Sequence, residues 1–527
     1  MSDEVTAGAG SAGAAPWGTA EHPGGADRPA AAPAEPVELV TIRDAAGRAR
    51  GSGFVADDRG TVLTGHEAVE GLDRVVLHAA GGRTWRTEGA EVTLLPELGL
   101  ALVPSDGLGV RPLPVAGGGT IPSGTYVRIP ARGWRQARVL AAGAEAGYTA
   151  AGRRLVLPAT VELAIGTDGR DALRLGGEAC GGPVLDAETG AVLAVLGTAL
   201  TVERRSGTFA VPLRAAAATS PAGPLAALLE RNGATVPCYG DELNLAGALE
   251  LTATTVGSAF PPGLLAGPEP VARPALAAGL AAFTAGQDLV LGLVGDPGTG
   301  RTTALAALAA DRARGPRPAP TLWLRGADLR ADDTSLADAV ARALAEAVRI
   351  VTAGGAPTGA AAPEPAAAGT AERVARLAGA AGRALLVVLD APEEMPPALA
   401  HRLAPWTVST AAWLCGTGAR LVVAARPEHW ERAGALYPAE LLHTPERPAR
   451  RLPPALPVGD LTPAEADTAR ARLGLPADAV READARHPLT LGLLAGIRAA
   501  GATEGRPTRE EVFAAHLDLL CLRAALR

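Results

Sequence analysis

Four stretches of this chain combine residue types that could do chemistry. In "GGEACGGPVLD", Gly176 to Asp186, Cys180 stands among glycines, with Glu178 two residues before it and Gly181-Gly182 permitting a tight turn after it. Upstream, "GTVLTGHEAV" sets His66 at the end of a short apolar run. A thiol beside an imidazole can be held as thiolate, the attacking form of cysteine. In "LVLGLVGDPGTGRTTALAALA" the residues Gly295, Asp296, Pro297, Gly298, Thr299, Gly300, Arg301, Thr302 and Thr303 lie between an apolar run and a helix-forming one. Glycines there let backbone N–H groups and a helix N-terminus wrap a phosphate, and a Thr302 hydroxyl can reach Mg²⁺. Finally, the apolar run "ALLVVLD" ends in Asp390, followed by Glu393 and Glu394. A carboxylate at the end of a buried strand can hold Mg²⁺ through water, and a neighbour can polarise an attacking water.

These residues need two kinds of scaffold. From Val37 to Arg214 the chain alternates short β-rich runs with glycine turns, as in an all-β sandwich or barrel. Residues 1–36 are Ala, Gly and Pro with few large apolar side chains, a composition that predicts disorder. Residues 215–270 read as a linker with some structure of its own, including the short helix "PLAALLERNG". In residues 271–458 strands alternate with helices, which predicts a parallel α/β sheet, interrupted by an Ala/Gly/Pro insert from Thr352 to Gly369. Residues 459–527 read as helical.

The segment "GSGFVADDRGTVLTGHEAV" resembles the HtrA and trypsin-like peptidases, and "GEACGGPVLDAETGAVLAVLG" and "TFAVPL" extend the resemblance in the same order. It covers residues 37–214 and implies a chymotrypsin-like pair of β-barrels with a cleft between them. The family's His base and Ser nucleophile map onto His66 and Cys180, and its oxyanion donors map onto the backbone N–H groups of Cys180 and Glu178. Its orienting Asp begins an Asp-Leu-Ala-Leu strand, whereas this chain reads "PELGLALVPS" with Gly99 there. A Cys-His dyad needs less help from an acid than Ser does; Glu97 or Glu67 are the nearby carboxylates, and neither matches the family position. The other reading of the same residues is a decayed triad on a retained peptide-binding scaffold.

The glycine loop matches the P-loop pattern GxxxxGK[ST] except for Arg301 at the lysine position. A planar guanidinium keeps the charge without the compact ammonium geometry, so hydrolysis should suffer more than binding. All 49 basic residues of the chain are Arg, a usage that points to a GC-rich genome. "LDAPEE", "LVVAARPE" and "RHPLTLGLLA" resemble the motifs of the NACHT branch of the STAND signalling NTPases. That resemblance spans Val271 to Ile497 and implies a P-loop NTPase followed by a C-terminal helical subdomain. It further implies ATP or ADP with Mg²⁺ as ligands, Arg426 by the γ-phosphate and Pro488 near the adenine, with Thr302 and Asp390 at the metal. STAND proteins join an effector to a nucleotide switch and assemble as homo-oligomers on activation; here the effector would be the peptidase-like unit.

Composition narrows the partners. A net charge of -7 gives no footprint for nucleic acid, whose binders concentrate positive charge. The start "MSDEVTAGAG" lacks a signal peptide's basic and apolar regions, and no long apolar run could span a bilayer, so a cytoplasmic protein with no membrane partner is expected. Four dispersed cysteines suggest neither a disulfide framework nor a zinc site. Three functions stay open: a STAND-like ATP-binding regulator with a peptidase-fold effector, a nucleotide-gated Cys180/His66 endopeptidase acting on protein or peptide, and a non-enzymatic scaffold whose pseudopeptidase unit binds a partner peptide.

Overall fold

The computed structural model describes residues 37–131, 133–150, 152–165, 179–198, 200–202, 205–206, 208–259, 270–353, 370–501 and 505–526. The expected disorder of residues 1–36, most of the insert at Thr352 to Gly369, and Glu178 fall outside them.

Two antiparallel sheets occupy the β-rich part and fit a chymotrypsin-like double barrel. The first has seven strands and includes Ala49–Val55, Val62–Gly65 and Leu100–Val103 as neighbours. The second has eight, of which six close a ring because Trp134–Ala150 and Arg153–Ile165 pair with each other as well as with other strands. Alternation of buried and exposed positions, as in Trp134–Ala150, reflects the period of two that points successive side chains to opposite faces. That strand is 17 residues long, and its hairpin carries Ala146, Tyr148, Ala150 and Leu157 into one apolar cluster with Phe54, Leu63 and Leu100 of the first sheet. One hairpin therefore spans both sheets, and its tip fixes their relative placement.

The segment read as a linker is divided between the two units. Helix Pro224–Thr235 packs Leu225, Leu228 and Leu229 into the barrel cluster. Its buried Asn232 donates to the carbonyls of Ala56 and Leu113 at 2.7 and 2.8 Å and accepts from the Val115 N–H at 2.8 Å. Helix Leu245–Ala259 instead puts Ala248 and Leu251 into the α/β core, and its Thr255 hydroxyl accepts from the Trp323 N–H at 3.1 Å.

The α/β unit is a five-stranded, wholly parallel sheet. Across it run Thr321–Arg325, Leu386–Asp390, Arg420–Ala425, Val290–Val294 and Ala455–Pro457. Four of these strands are continuous apolar runs, as expected where helices cover both faces. From Val290–Val294 the chain crosses to the far edge through helix Arg301–Arg314, whereas from the adjacent Arg420–Ala425 it leaves toward the opposite edge. Connections that part in this way open a crevice at the carboxyl ends of the two strands, the usual ligand position in open α/β sheets. Helices Pro463–Leu473, Pro488–Ala499 and Arg509–Ala525 form a separate apolar cluster at the C-terminal end. Among the described residues no helix is long and apolar enough to cross a membrane.

Candidate functional site

His66 and Cys180 both lie at the junction between the sheets, His66 directly after a strand of the first and Cys180 shortly before strand Pro183–Asp186 of the second. His66 opens a short 3-10 turn after strand Val62–Gly65 and is held by its backbone N–H, which donates to the Gly99 carbonyl at 2.9 Å. Gly99, at the expected acid position, has φ of 64°, a left-handed conformation, and any Cβ there would lie 3.2 Å from Leu157 Cδ1. The space that an acid would use is filled from the long hairpin. Tyr148 Oη lies 2.7 Å from His66 Nδ1, and both side chains are buried.

This pairing sets the chemistry of the imidazole. Burial drives the Tyr148 hydroxyl's pKa far above the usual phenol value, so what faces Nδ1 is a neutral phenol and not a charged group. When the phenol donates to Nδ1, the neutral ring carries its hydrogen on Nε2, the nitrogen that a general base needs free. Burial also lowers the His66 pKa, against the smaller opposing influence of Glu70 and Glu67. A carboxylate at Nδ1 would have stabilised an imidazolium by its charge; a neutral phenol supplies no such charge.

Cys180 is no better prepared. Its side chain packs with Ile42, Val55 and Ala68 in the core of the first sheet, and its thiol lies 3.2 Å from where a Cβ on Gly65 would be. Burial pushes the thiol pKa well up, and the charge of Glu67 adds to the effect. Glu67 itself reaches across the junction to accept the Thr198 N–H at 2.6 Å. Among the described residues no hydrogen bond joins Cys180 to His66. Glu97 is exposed and makes no bond to His66, so neither carboxylate takes the orienting role considered from the sequence. Gly181 has φ of 77° and sits so tightly that a Cβ would fall 2.2 Å from Thr64 Oγ1 and 2.4 Å from the Ser52 carbonyl. The turn that presents Cys180 is thus built for glycine, while the thiol it presents is neutral.

The second constellation forms at the crevice of the parallel sheet. Gly295 to Gly300 run from strand Val290–Val294 into helix Arg301–Arg314, with positive φ at Gly298 (83°) and Gly300 (95°). Among the described residues the backbone N–H groups of Gly298, Gly300, Arg301 and Thr302 have no acceptor. The carbonyls of the same loop are engaged from outside: Arg273 donates to Thr299 O at 2.8 Å and the Leu489 N–H to Gly298 O at 3.2 Å. His487 Nδ1 accepts the Thr490 N–H, so Nε2 carries the proton and donates to Pro297 O at 3.2 Å. A glycine loop with acceptor-free N–H groups that leads into a helix N-terminus is an arrangement that can bind anions.

Across the crevice, the Thr302 hydroxyl donates to Asp390 Oδ2 at 2.9 Å, and burial raises the Asp390 pKa, partly offset by Thr302 and Arg301. Arg301 and Arg426 both reach Glu393 Oε1, each at 3.3 Å. Glu394 points to solvent, as does Thr303. Pro488 begins the helix whose next residue, Leu489, bonds Gly298, so it stands beside the glycine loop. Asp296 and Pro297 are exposed at the loop's tip.

No protein-family model matches this chain. No curated protein matches it either. Among solved structures it is similar to the Rv3671c protease from M. tuberculosis in its active form, with a TM-score of 0.28 and 21% identity over 39% of this chain and 84% of that one. It is also similar to the MamO protease domain from Magnetospirillum magneticum (TM-score 0.26, 18% identity, 34% of this chain and 94% of that one). A serine endoprotease from Yersinia pestis is a third (TM-score 0.26, 18% identity, 37% of this chain and 64% of that one). These neighbours are trypsin- and HtrA-like proteases matched over little more than a third of the chain. At such scores the likeness carries no conclusion about activity, which rests on the side chains described above.

Proposed function

We propose that this protein is a nucleotide-responsive regulator of the STAND type, in which the α/β unit binds Mg-ATP or Mg-ADP and the peptidase-fold unit binds a partner peptide without cleaving it. The observation that carries the nucleotide half is the Thr302–Asp390 pair beside a glycine loop of which four N–H groups have no acceptor among the described residues. A hydroxyl and a carboxylate are hard oxygen donors that suit Mg²⁺, which completes its shell with phosphate oxygens and water. When bound, that ion would neutralise phosphate charge. The binding-only half rests on the Tyr148–His66 bond and on the buried, neutral thiol of Cys180. Cytoplasmic residence and assembly into a homo-oligomer on activation belong to the same reading.

The test is thermal. Mg-ATP or Mg-ADP should raise the melting temperature of the full chain by mass action, and Asp390→Ala should abolish the rise. A chain whose melting neither nucleotide moves is not a nucleotide switch. His66 and Cys180 border one junction, which favours a second reading, a gated cysteine peptidase that assembles only if Tyr148 and Glu67 withdraw. Labelling by a thiol-directed peptide probe in the presence of Mg-ATP, lost in both Cys180→Ala and His66→Ala, would establish that reading in place of the first.

A further inference from the structure

The Arg301–Glu393–Arg426 contact has an unusual charge count. One carboxylate oxygen, Glu393 Oε1, takes the guanidinium of Arg301 at 3.3 Å and the Nε of Arg426 at 3.3 Å. The other, Oε2, is buried with no hydrogen-bond partner. Two cations therefore share one anion at the mouth of the glycine loop, and half of that anion's hydrogen-bonding capacity is unused. Arg301 is also the first residue of its helix, where the helix end itself favours negative charge.

From this we infer that Glu393 is a built-in competitor for phosphate: it occupies Arg301 and Arg426 until a terminal phosphate displaces it, and it thereby sets the preference between triphosphate and diphosphate. A phosphate offers three acceptor oxygens and more negative charge than a carboxylate, and guanidinium forks bind it in bidentate fashion. An ammonium at the position of Arg301 would be a single compact charge; the longer planar fork is what lets this residue reach Glu393 and share it with Arg426. Diphosphate has no terminal phosphate to offer Arg426 in place of Glu393, so it would gain less from the exchange than triphosphate. This inference rests on the nucleotide reading above and concerns the selectivity of the same site.

Titration calorimetry of the full chain with Mg-ATP and Mg-ADP, for wild type and Glu393→Gln, tests it. Glutamine keeps the side chain's size and one acceptor but removes the competing charge. Affinity for Mg-ATP should rise about tenfold, on the scale of one charge-assisted hydrogen bond, with a smaller change for Mg-ADP. Arg426→Ala should remove the difference between the two nucleotides, and unliganded melting curves of both variants report that they fold. If wild type and Glu393→Gln bind with the same ratio of ATP to ADP affinity, or the variant binds ATP more weakly, the competitor role is overturned while the nucleotide reading stands. If neither protein binds either nucleotide, the nucleotide reading itself fails. Binding by Glu393→Gln alone would support the competition directly.

Discussion

Replacing Tyr148 by Phe removes one oxygen and leaves the ring, so it isolates the bond at His66 Nδ1. Tyr148 is 3% exposed and His66 4%, so water cannot readily replace the lost hydroxyl at Nδ1. An unsatisfied buried acceptor costs about 1–3 kcal/mol. Taking about 2 kcal/mol for a unit of this size, the melting temperature of the barrel unit should fall by roughly 4–8 °C. The same substitution in a His66→Ala background should cost almost nothing, because the double-mutant cycle cancels everything but the pair. Nitrogen-detected NMR of wild type should show a neutral His66 with hydrogen on Nε2. A Tyr148→Phe protein that melts within about 1 °C of wild type, or a cycle showing no coupling, would refute the assignment of Tyr148 as the group that fixes this imidazole. The pH dependence has a definite sign. Burial lowers the His66 pKa below its ordinary 6.5, so below that pH the folded chain binds fewer protons than the unfolded one. Its contribution to stability is full above 6.5 and falls as the pH drops, by at most about 1.4 kcal/mol per pH unit.

Three further outcomes follow. Under native conditions a small alkylating reagent should modify Cys415 and Cys521, which are exposed, and spare Cys180 and Cys238, which are buried; modification of all four in the folded protein would contradict the packing. Glu67→Gln should raise the alkylation rate of Cys180, since the Glu67 charge opposes thiolate formation, though burial will keep it slower than Cys415. Asn232→Ala should lower the barrel unit's stability by about 2–4 kcal/mol, because it strands three buried backbone groups, and denaturant unfolding reads this directly.

The parts of the site carried by local sequence were readable. A glycine loop between an apolar run and an amphipathic helix needs little beyond the two flanking periodicities, and Asp390 ends a strand because the five apolar residues before it leave no other ending. His66 and Cys180 each sit on a motif. What could not be read is what these groups touch. Tyr148 lies in an Ala- and Gly-rich stretch with weak strand propensity, so strand Trp134–Ala150 gives no signal of its own. Its partner is set by hairpin register, Tyr148 opposite Leu155, and by a length that carries the tip onto the first sheet. In the sequence Glu393 is a carboxylate suited to polarising water; only the parallel order of the strands brings it between Arg301 and Arg426. Helix Leu245–Ala259 looked like connector because Ala, Gly and Thr show no marked apolar stripe, yet small side chains are what allow it to lie close against strand Thr321–Arg325.

The segment between the two units bears on how one could inform the other. Glu242 accepts the N–H groups of Gly117 and Gly118 at 2.6 and 3.3 Å, while Tyr239 and Leu243 beside it are buried in the α/β core. Cys238 packs with Ala116 and Ala191 of the barrel side. Asn244 ties this turn to the following helix, accepting from the Cys238 and Gly247 N–H groups and donating to the Val236 carbonyl. Adjacent residues of one turn thus pack on the two units, Cys238 on the barrel side and Tyr239 and Leu243 in the α/β core, and close-packed interiors transmit displacement instead of absorbing it. Helix Leu245–Ala259 leaves that turn and is bonded to strand Thr321–Arg325, the neighbour of the strand that ends in Asp390. Any ligand that separates Thr302 from Asp390 therefore acts on a sheet whose edge is fastened, through one helix and one turn, to the loop at Gly117. Coupling of this kind needs no flexible tether; it needs the packed junction to have two arrangements of similar energy. On the nucleotide reading proposed above, exchange of the Thr302–Asp390 and Arg301–Glu393 contacts for metal and phosphate would supply the difference between them.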